Sequence, residues 1–328
     1  MPPRSHTHGP APVCFRMTAP VRHVWAALLV VWFVWGSTYV AIKVVVDTLP
    51  PLLSAGSRFL VAGLLLATIV AASGKSLRVA PRELAGAAVA GLLLLTLGVG
   101  VVHVAETRID SSVAAMIAGT VPLQVIAFRL ASRDSVSRAT RLSTLAGLAG
   151  LGLVVAPGLG SGSTALGLAL MISASISWST GSFFSRRLGL PSDPFVATAY
   201  EMLAGGVFLT LSATAFGEWG QLGAGGFALD SMAAWTYLVV FGSLLGFTCY
   251  AWLLRVAPIS LVVTHQYVNP IVAIVLGMLL LGERPSPLAL AGAVLVVAAV
   301  YVAVRAESPR SRRPASAAPP GTPASRTV

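Results

Sequence analysis

Long runs of apolar residues, separated by short polar stretches, make up most of the chain. A run of about 17 to 25 apolar residues can cross the hydrocarbon core of a bilayer as a helix. These runs are continuously apolar, whereas the strands of a membrane barrel alternate apolar and polar positions, so the pattern favours helices. The predicted spans are residues 24–46, 52–73, 84–104, 109–131, 142–157, 164–184, 195–216, 233–254, 257–281 and 286–304. The expected fold is an all-α membrane protein with ten transmembrane helices.

Two parts of the chain match each other at a fixed spacing, which indicates an internal duplication. The pairs separated by 143 residues include Trp35 and Trp178, Pro51 and Pro194, and Gly63 and Gly206. The pairs separated by 148 residues are Gly98 and Gly246, Ser112 and Ser260, and Pro122 and Pro270. We interpret residues 23–158 and 163–305 as two diverged copies of a five-helix repeat.

The odd number of spans in each repeat determines the relative orientation of the two halves. Five spans separate a residue from its mate, so the second half lies inverted relative to the first. Two inverted repeats can exchange conformations and thereby open one side of the membrane at a time, which is alternating access. The pattern therefore predicts a transporter, with a passive channel as an alternative because some channels also contain inverted repeats.

The composition agrees with a membrane protein, because 56% of the residues are hydrophobic, 10% are charged and the mean hydropathy is +0.84. A net charge of +11 would suggest nucleic-acid binding in a soluble protein. All of the 22 basic residues except Lys43, Arg58, Arg108 and Arg284, however, fall on one side of the predicted topology. The positive-inside rule then places both termini in the cytoplasm of a multi-pass cell-membrane protein, without a nucleic-acid partner.

The two ends of the chain are polar. Residues 1–22 form a predicted cytoplasmic N-terminal segment, and residues 306–328 form a basic cytoplasmic tail that we expect to be disordered. Cys14 and Cys249 lie too far apart in the predicted topology to form a disulfide, and neither has metal-ligand spacing. We expect no cofactor and no metal ion.

Two charged residues at matching positions of the repeats are the strongest candidates for function. Arg58 lies inside the second span and Glu201 lies at the equivalent place in the seventh, and an ionised side chain is costly there. The inverted topology places them near opposite surfaces, so we assign them to opposite gates. Arg58 would bind an anionic group or stabilise the closed outer side. Glu201 would act in the same way at the inner side and is one candidate carrier of a coupling proton.

A cluster of polar residues interrupts the ninth span. It consists of His265, Gln266, Tyr267 and Asn269, followed by the helix-breaking Pro270. Proline lacks an N–H group, so the carbonyl of Gln266 loses its helical donor and becomes available to a substrate or an ion. The matching segment of the first half is polar only at Thr120, before Pro122. We expect this cluster to line the cavity, although a hydrogen-bonded, packed histidine is the more common role for a residue such as His265.

Aromatic residues followed by small polar residues recur in both halves. Trp35 and Trp178 are mates, and small polar residues follow each of them; the candidate binding residues of this group are Trp35, Ser37, Thr38, Tyr39, Trp178, Ser179 and Tyr200. Aromatic rings can pack a small organic substrate and donate hydrogen bonds to its edge. Close helix packing explains the small residues about as well.

Ionisable residues also cluster at the outer end of the third span. They are His103, Glu106, Arg108 and Asp110, and a surface ion network is the plainest interpretation. A membrane-embedded enzyme that uses His103, Glu106 and Asp110 is an alternative. The chain contains no catalytic or nucleotide-binding fingerprint that supports this alternative.

The order of several short motifs resembles a known family. These motifs are Trp35-Gly36-Ser37-Thr38 with Lys43, Arg58-Phe59, Pro122, Pro270, Gly282-Glu283 and Gly292. Together they are similar to the drug/metabolite transporter superfamily and, within it, to the EamA-like exporters. The resemblance implies a ten-helix carrier that exports amino acids or related small metabolites from a central cavity near the pseudo-twofold axis.

The expected function is therefore export of small polar metabolites, in particular amino acids or amino-acid-like compounds, by alternating access. The expected partners are a small-molecule substrate, the lipid bilayer and, as one candidate coupling ion, a proton. A carrier of drugs or other organic metabolites on the same fold is the first alternative.

Overall fold

The computed structural model describes residues 20–131, 137–158, 162–184, 187–223, 227–257, 262 and 265–307. All regular secondary structure within these ranges is helical. Most of the predicted N-terminal segment and most of the predicted tail fall outside the described residues. The side chain of Tyr267 also lies outside the described part of the chain.

The helices follow one another with short connections. They are α1 (Val21–Val46), α2 (Pro51–Ala72), α3 (Pro81–Glu106), α4 (Ser111–Ala118), α5 (Val121–Ala131), α6 (Arg138–Val155), α7 (Gly162–Phe184), α8 (Pro194–Ala215), α9 (Leu229–Tyr237, Leu238–Leu245 and Gly246–Val256), α10 (His265–Leu280) and α11 (Pro287–Glu307). Within the described ranges, seven helical segments are long and apolar enough to cross a membrane, with α4 and α5 together forming one, and two shorter apolar helices lie in α10 and α11.

Local sequence signals explain where the helices begin. Pro51 and Pro194 occupy the first positions of α2 and α8, where a missing N–H group is not needed. The Ser137 hydroxyl accepts a hydrogen bond from the Thr140 amide at 3.0 Å, so α6 begins before the predicted residue 142. The predicted span 109–131 is interrupted between α4 and α5 by Gly119 and Thr120.

Helices α2 and α8 pack along their lengths and run in opposite directions. At one end, the Glu218 carboxylate, just after α8, accepts hydrogen bonds from backbone amides at the start of α2, at 3.2 and 2.8 Å. At the other end, Lys75, just after α2, forms a 2.7 Å ion pair with Asp193, just before α8. The end of each helix therefore lies beside the beginning of the other.

The contact between α2 and α8 is reciprocal. A Cβ atom added to Gly63 would lie 3.1 Å from the Leu203 amide nitrogen, and one added to Gly206 would lie 2.9 Å from the Leu60 amide nitrogen. Gly63 and Gly206 are mates at the spacing of 143 residues, and so are Leu60 and Leu203. The contact of Gly63 with Leu203 is thus repeated by the mates of these two residues, Gly206 and Leu60. Repetition of this kind indicates a twofold relation between the two helices.

Two π-helical segments occur at corresponding places. Gly91–Gly100 interrupts α3 and Leu238–Leu245 interrupts α9. The spacing of 148 residues maps the first segment onto residues 239–248, which overlap the second. Such widened turns are frequent at functional sites. The first segment contributes Gly98 and Val99 to the lining of the central cavity, and Ser243 of the second accepts a hydrogen bond from Arg58, which also lines that cavity.

Candidate substrate cavity

A cavity of about 100 Å³ lies between the central helices. Eight of the residues predicted from the sequence line it: Trp35, Thr38, Tyr39, Arg58, Trp178, His265, Gln266 and Asn269. The other lining residues, which the sequence reasoning did not select, are Ile42, Gly98, Val99, Val102, Ala118, Val121, Met171, Ala174, Ser175 and Phe247. The lining is thus mostly apolar, with polar groups contributed mainly by α1, α2 and α10.

Arg58 supplies the one formal charge of this lining. Its side chain is only 3% exposed, and its Nε donates a 2.8 Å hydrogen bond to the Ser243 hydroxyl in the π-helical segment of α9. The guanidinium carbon lies 4.9 Å from the centre of the Phe59 ring, and Nη1 has no hydrogen-bond partner. Among the described residues, no carboxylate lies within ion-pair distance of Arg58. The guanidinium therefore retains the capacity to bind an anion.

Trp35 forms the centre of an aromatic cluster on one wall of the cavity. The distances from its ring centre are 6.4 Å to Trp178, 5.1 Å to Phe247, 5.0 Å to Tyr250 and 5.2 Å to His265. The Trp35 Nε1 donates a 3.1 Å hydrogen bond to the Gly242 carbonyl. This hydrogen bond and the surrounding rings hold the indole in a defined orientation.

The hydrogen bonds of His265 define its tautomer. Its Nδ1 lies 2.8 Å from the Val262 carbonyl and must donate to it, so Nε2 accepts the 3.0 Å hydrogen bond from the Gln266 amide. With its amide nitrogen oriented to donate, Asn269 bonds the His265 carbonyl at 2.9 Å and the Trp32 carbonyl at 3.2 Å. Both ring nitrogens of His265 are occupied, which favours a positioning role for this histidine over proton transport.

The chain breaks its helix just before Pro122, whereas α10 continues from His265 to Leu280 through Pro270, and the two regions contact each other. A Cβ atom on Gly119, between α4 and α5, would lie 3.0 Å from Cγ of Pro270 in α10. Pro122 follows this break near the start of α5, and Thr120 in the break donates to the Ile117 carbonyl at 2.6 Å. The break before Pro122 and the Pro270 segment thus meet beside the cavity.

A buried polar network joins Thr120 and Ser179 to Ser175 of the cavity lining through Gln124. Gln124 donates to the hydroxyls of Thr120 and Ser175 at 2.9 and 2.8 Å, and its oxygen accepts from Ser179 at 2.7 Å. Thr120 and Ser179 are therefore positioned behind the lining rather than in it. Gln124 was not selected from the sequence, although a lone glutamine inside an apolar span is a visible signal.

The remaining predicted residues lie farther from the cavity. The Ser37 hydroxyl shares a 2.6 Å hydrogen bond with Tyr237, and the Tyr200 hydroxyl donates to the Leu77 carbonyl at 2.6 Å. Glu201 is half-buried in α8, where its backbone carbonyl faces Gly91 at very close range. The Ser37 bond joins α1 to α9, and the Tyr200 bond joins α8 to the segment after α2.

The predicted surface ion network at the end of α3 is wrong. His103 and Glu106 are both 0% exposed, because α3 continues to Glu106 and turns these side chains into the protein. Arg108 is exposed and hydrogen-bonds only to groups of its own turn, while Asp110 reaches solvent. Partial loss of hydration, and the nearby Glu283 carboxylate, raise the pKa of Asp110 above its ordinary value. No group of acidic, histidine or cysteine residues in the described ranges could hold a metal ion.

A second cavity of about 510 Å³ opens beside this end of α3. Its lining consists of Lys43, Asp47, Asp110, Leu281, Gly282, Glu283 and Arg284. The Glu283 carboxylate accepts hydrogen bonds from the Ser111 amide and hydroxyl at 2.8 and 2.7 Å and from the Ser112 amide at 3.0 Å. Glu283 therefore caps the beginning of α4.

Comparison with known proteins identifies a matching family, similar sequences and a similar fold. The sequence profile of the EamA-like transporter family matches residues 24–156 and 165–305. The uncharacterized inner membrane transporter YedA of Escherichia coli K12 is 38% identical over 290 residues, which cover 88% of this chain and 92% of the relative. A Salmonella typhimurium protein named "Probable amino-acid metabolite efflux pump" is 29% identical over 311 residues, covering 85% and 93%. One solved crystal structure has the same fold, with a TM-score of 0.62 at 20% identity, covering 88% of this chain and 99% of that chain.

Proposed function

The chain belongs to the EamA-like transporter family, and on this premise we propose that it is a secondary transporter that exports amino acids or amino-acid-like small polar metabolites. Membership of the family alone supports the general part of this statement, that the protein is a membrane transporter. The protein is a multi-pass transporter of the inner cell membrane and not an enzyme. The proposal concerns its substrate, its direction and its mechanism.

The buried guanidinium of Arg58 carries the proposal. A charge buried without a partner is costly, and Arg58 lines the cavity while its Nη1 has no hydrogen-bond partner. A carboxylate matches a guanidinium in both charge and geometry. A substrate carboxylate that enters the cavity would therefore supply the partner that the described residues do not.

The rest of the cavity suits the body of an amino acid. The rings of Trp35, Trp178 and Phe247 offer apolar and π surface for a side chain. The Gln266 carbonyl, which lacks a helical donor because of Pro270, can accept a hydrogen bond from an ammonium group. Since the lining holds a positive charge and no carboxylate, it disfavours the cationic drugs that a related carrier could move. The name of the Salmonella relative supports the same substrate class.

The packing of α2 against α8 supports ten helices arranged as two inverted five-helix repeats. The reciprocal contacts of Gly63 and Gly206 indicate a twofold relation, and the two helices are antiparallel. A twofold axis that relates two antiparallel spans must lie in the plane of the membrane, as in inverted-repeat transporters. Alternating access around the central cavity then follows, with both termini in the cytoplasm as the distribution of basic residues indicates.

Exchange in proteoliposomes tests this function. Purified protein should exchange labelled amino acids across the membrane, whereas the matching amines without a carboxylate should not compete. Arg58→Ala should abolish exchange while the protein still inserts, and Arg108→Ala, which removes an exposed arginine, serves as the matched control. Exchange by the Arg58→Ala variant at the wild-type rate, or equal competition by the amines, would contradict the proposal.

A further inference from the structure

Glu106 is an acidic side chain that the proposed substrate site does not use. It is 0% exposed, and neither of its carboxyl oxygens has a hydrogen-bond partner. Lys43 comes close but donates its 2.7 Å hydrogen bond to the backbone carbonyl of Glu106, not to the carboxyl group. An ionised carboxylate is strongly disfavoured in such surroundings, and a buried group of this kind usually takes up a proton instead.

The two neighbouring acids differ from Glu106 in this respect. The carboxyl group of Glu283 accepts three hydrogen bonds from Ser111 and Ser112. Asp110 reaches solvent and lines the second cavity. Of these three acids, Glu106 is the one whose charge no described group satisfies. The unpartnered oxygens of Glu106, rather than the number of acids nearby, single out this position.

Glu106 lies between the two cavities. Val102, one helical turn before Glu106 on α3, lines the central cavity, and so does Tyr39 on α1. Lys43, one helical turn after Tyr39, donates a hydrogen bond to the Glu106 carbonyl and lines the second cavity. Neighbours of Glu106 therefore line both cavities.

The charged groups around Glu106 come from several elements. Tyr39 and Lys43 approach from α1, and Glu283 approaches from the segment after α10. On its own helix, buried His103 has an unpartnered Nε2 and interacts electrostatically with Arg58 of α2. The described residues of α4 and α7, which also pack near this end of α3, contain no charged side chain.

We propose that Glu106 is a proton-binding site that couples the outer solution to transport. The carboxylate takes up one proton from water in the second cavity and becomes a neutral carboxylic acid, and release of that proton restores the carboxylate. One O–H bond forms or breaks, and no other reactant is needed. In the structure Lys43 bonds the backbone carbonyl of Glu106 instead of its carboxyl group, which is the arrangement expected for the neutral acid. Coupling to substrate rests on the proposed function, but binding of the proton does not.

Infrared spectroscopy of the full-length protein in lipid tests the site without a substrate. A carboxylic acid that lacks a hydrogen-bond partner absorbs at a higher frequency than a hydrated one, so the wild type at neutral pH should show such a carbonyl band. The band should be lost in Glu106→Gln, be retained in Glu106→Asp and Glu201→Gln, and decrease as the pH is raised. A band that persists in Glu106→Gln, or that never titrates while the protein stays folded, would overturn the proposal.

Transport then tests the coupling. If one proton exchanges for one substrate, a gradient of one pH unit supports about tenfold accumulation of a labelled amino acid. Glu106→Gln should lose this accumulation and keep exchange at equal pH, and Glu106→Asp should restore it. Equal accumulation by Glu106→Gln and the wild type would refute the coupling. If the wild type exchanges no amino acid at all, the proposed function fails, and the infrared result still decides whether Glu106 binds a proton.

Discussion

A single added methyl group at Gly242 tests whether the position of Arg58 determines substrate affinity. In the structure, a Cβ atom at Gly242 would lie 3.1 Å from Nη2 of Arg58 and 3.0 Å from Cγ2 of Thr38. Ordinary contacts of this kind are about 3.4 to 4 Å, so the guanidinium must shift by several tenths of an ångström. We expect Gly242→Ala to impair one charge-assisted hydrogen bond to a substrate carboxylate, worth about 1.5 to 3 kcal/mol.

This loss corresponds to a weakening of affinity by about 10- to 150-fold. The assay is the concentration of a labelled amino acid that gives half-maximal exchange in proteoliposomes. Gly152→Ala is the matched control, because a Cβ atom at Gly152 in α6 would meet nothing within 4 Å. That control should leave the affinity unchanged and stabilise the helix by about 0.5 to 1 kcal/mol.

A second substitution separates the two contacts of the added methyl group. Thr38→Ser removes the Cγ2 contact but leaves the contact with Arg58, so it should not restore the affinity of Gly242→Ala. Full recovery in the double variant would show that pressure on α1, and not displacement of the guanidinium, causes the defect. Wild-type affinity in Gly242→Ala itself would refute the role assigned to Arg58.

Other parts of the fold lead to further expectations. Gly36→Ala would place a Cβ atom 2.6 Å from Cβ of Val272, so we expect a loss of about 1 to 3 kcal/mol, measured as a lower denaturation temperature in detergent. Glu218→Gln removes a negative charge that caps α2 and should cost about 1 kcal/mol in the same assay. Partial burial raises the pKa of Asp193, but the hydrogen bond from Lys75 and two backbone amides outweigh it, and the net pKa lies below the ordinary value of 3.8. The stabilisation by the ionised Asp193 is therefore present above pH 3.8 and is lost as the pH falls through the lower pKa of the folded state. Asp193→Asn should accordingly destabilise the protein near pH 7 and match the wild type in strong acid.

The sequence located the helices well wherever a local signal marks their ends. The predicted starts at residues 52 and 195 differ by one residue from Pro51 and Pro194, because proline at the first turn is a local property. The predicted end of the third span at residue 104 was too early. Burial of the last turn up to Glu106 depends on neighbours that are distant in sequence, and a charged residue near a span end resembles a loop residue.

Polar and aromatic residues of the cavity were visible in the sequence, whereas its apolar residues were not. Arg58 and Trp35 stand out in apolar helices because placing them there is costly or occupies much space. Met171 and Phe247 also line the cavity. An apolar residue in a span gives the same sequence signal whether it faces a cavity, another helix or lipid. Ser243, which accepts the hydrogen bond from Arg58, was missed because small residues also serve close packing.

Different interactions hold the two ends of the α2 and α8 pair together, and this asymmetry is relevant to the direction of substrate transport. The Glu218 cap is only 5% exposed, and burial protects its hydrogen bonds from competing water. The pair of Lys75 and Asp193 is exposed, with 44% and 27% of these side chains accessible, and such pairs contribute about 0 to 1 kcal/mol. Under the proposed topology, with both termini in the cytoplasm, the exposed pair lies on the inner side. Separation of the two helices would then cost less at the cytoplasmic end, which is consistent with the proposed export.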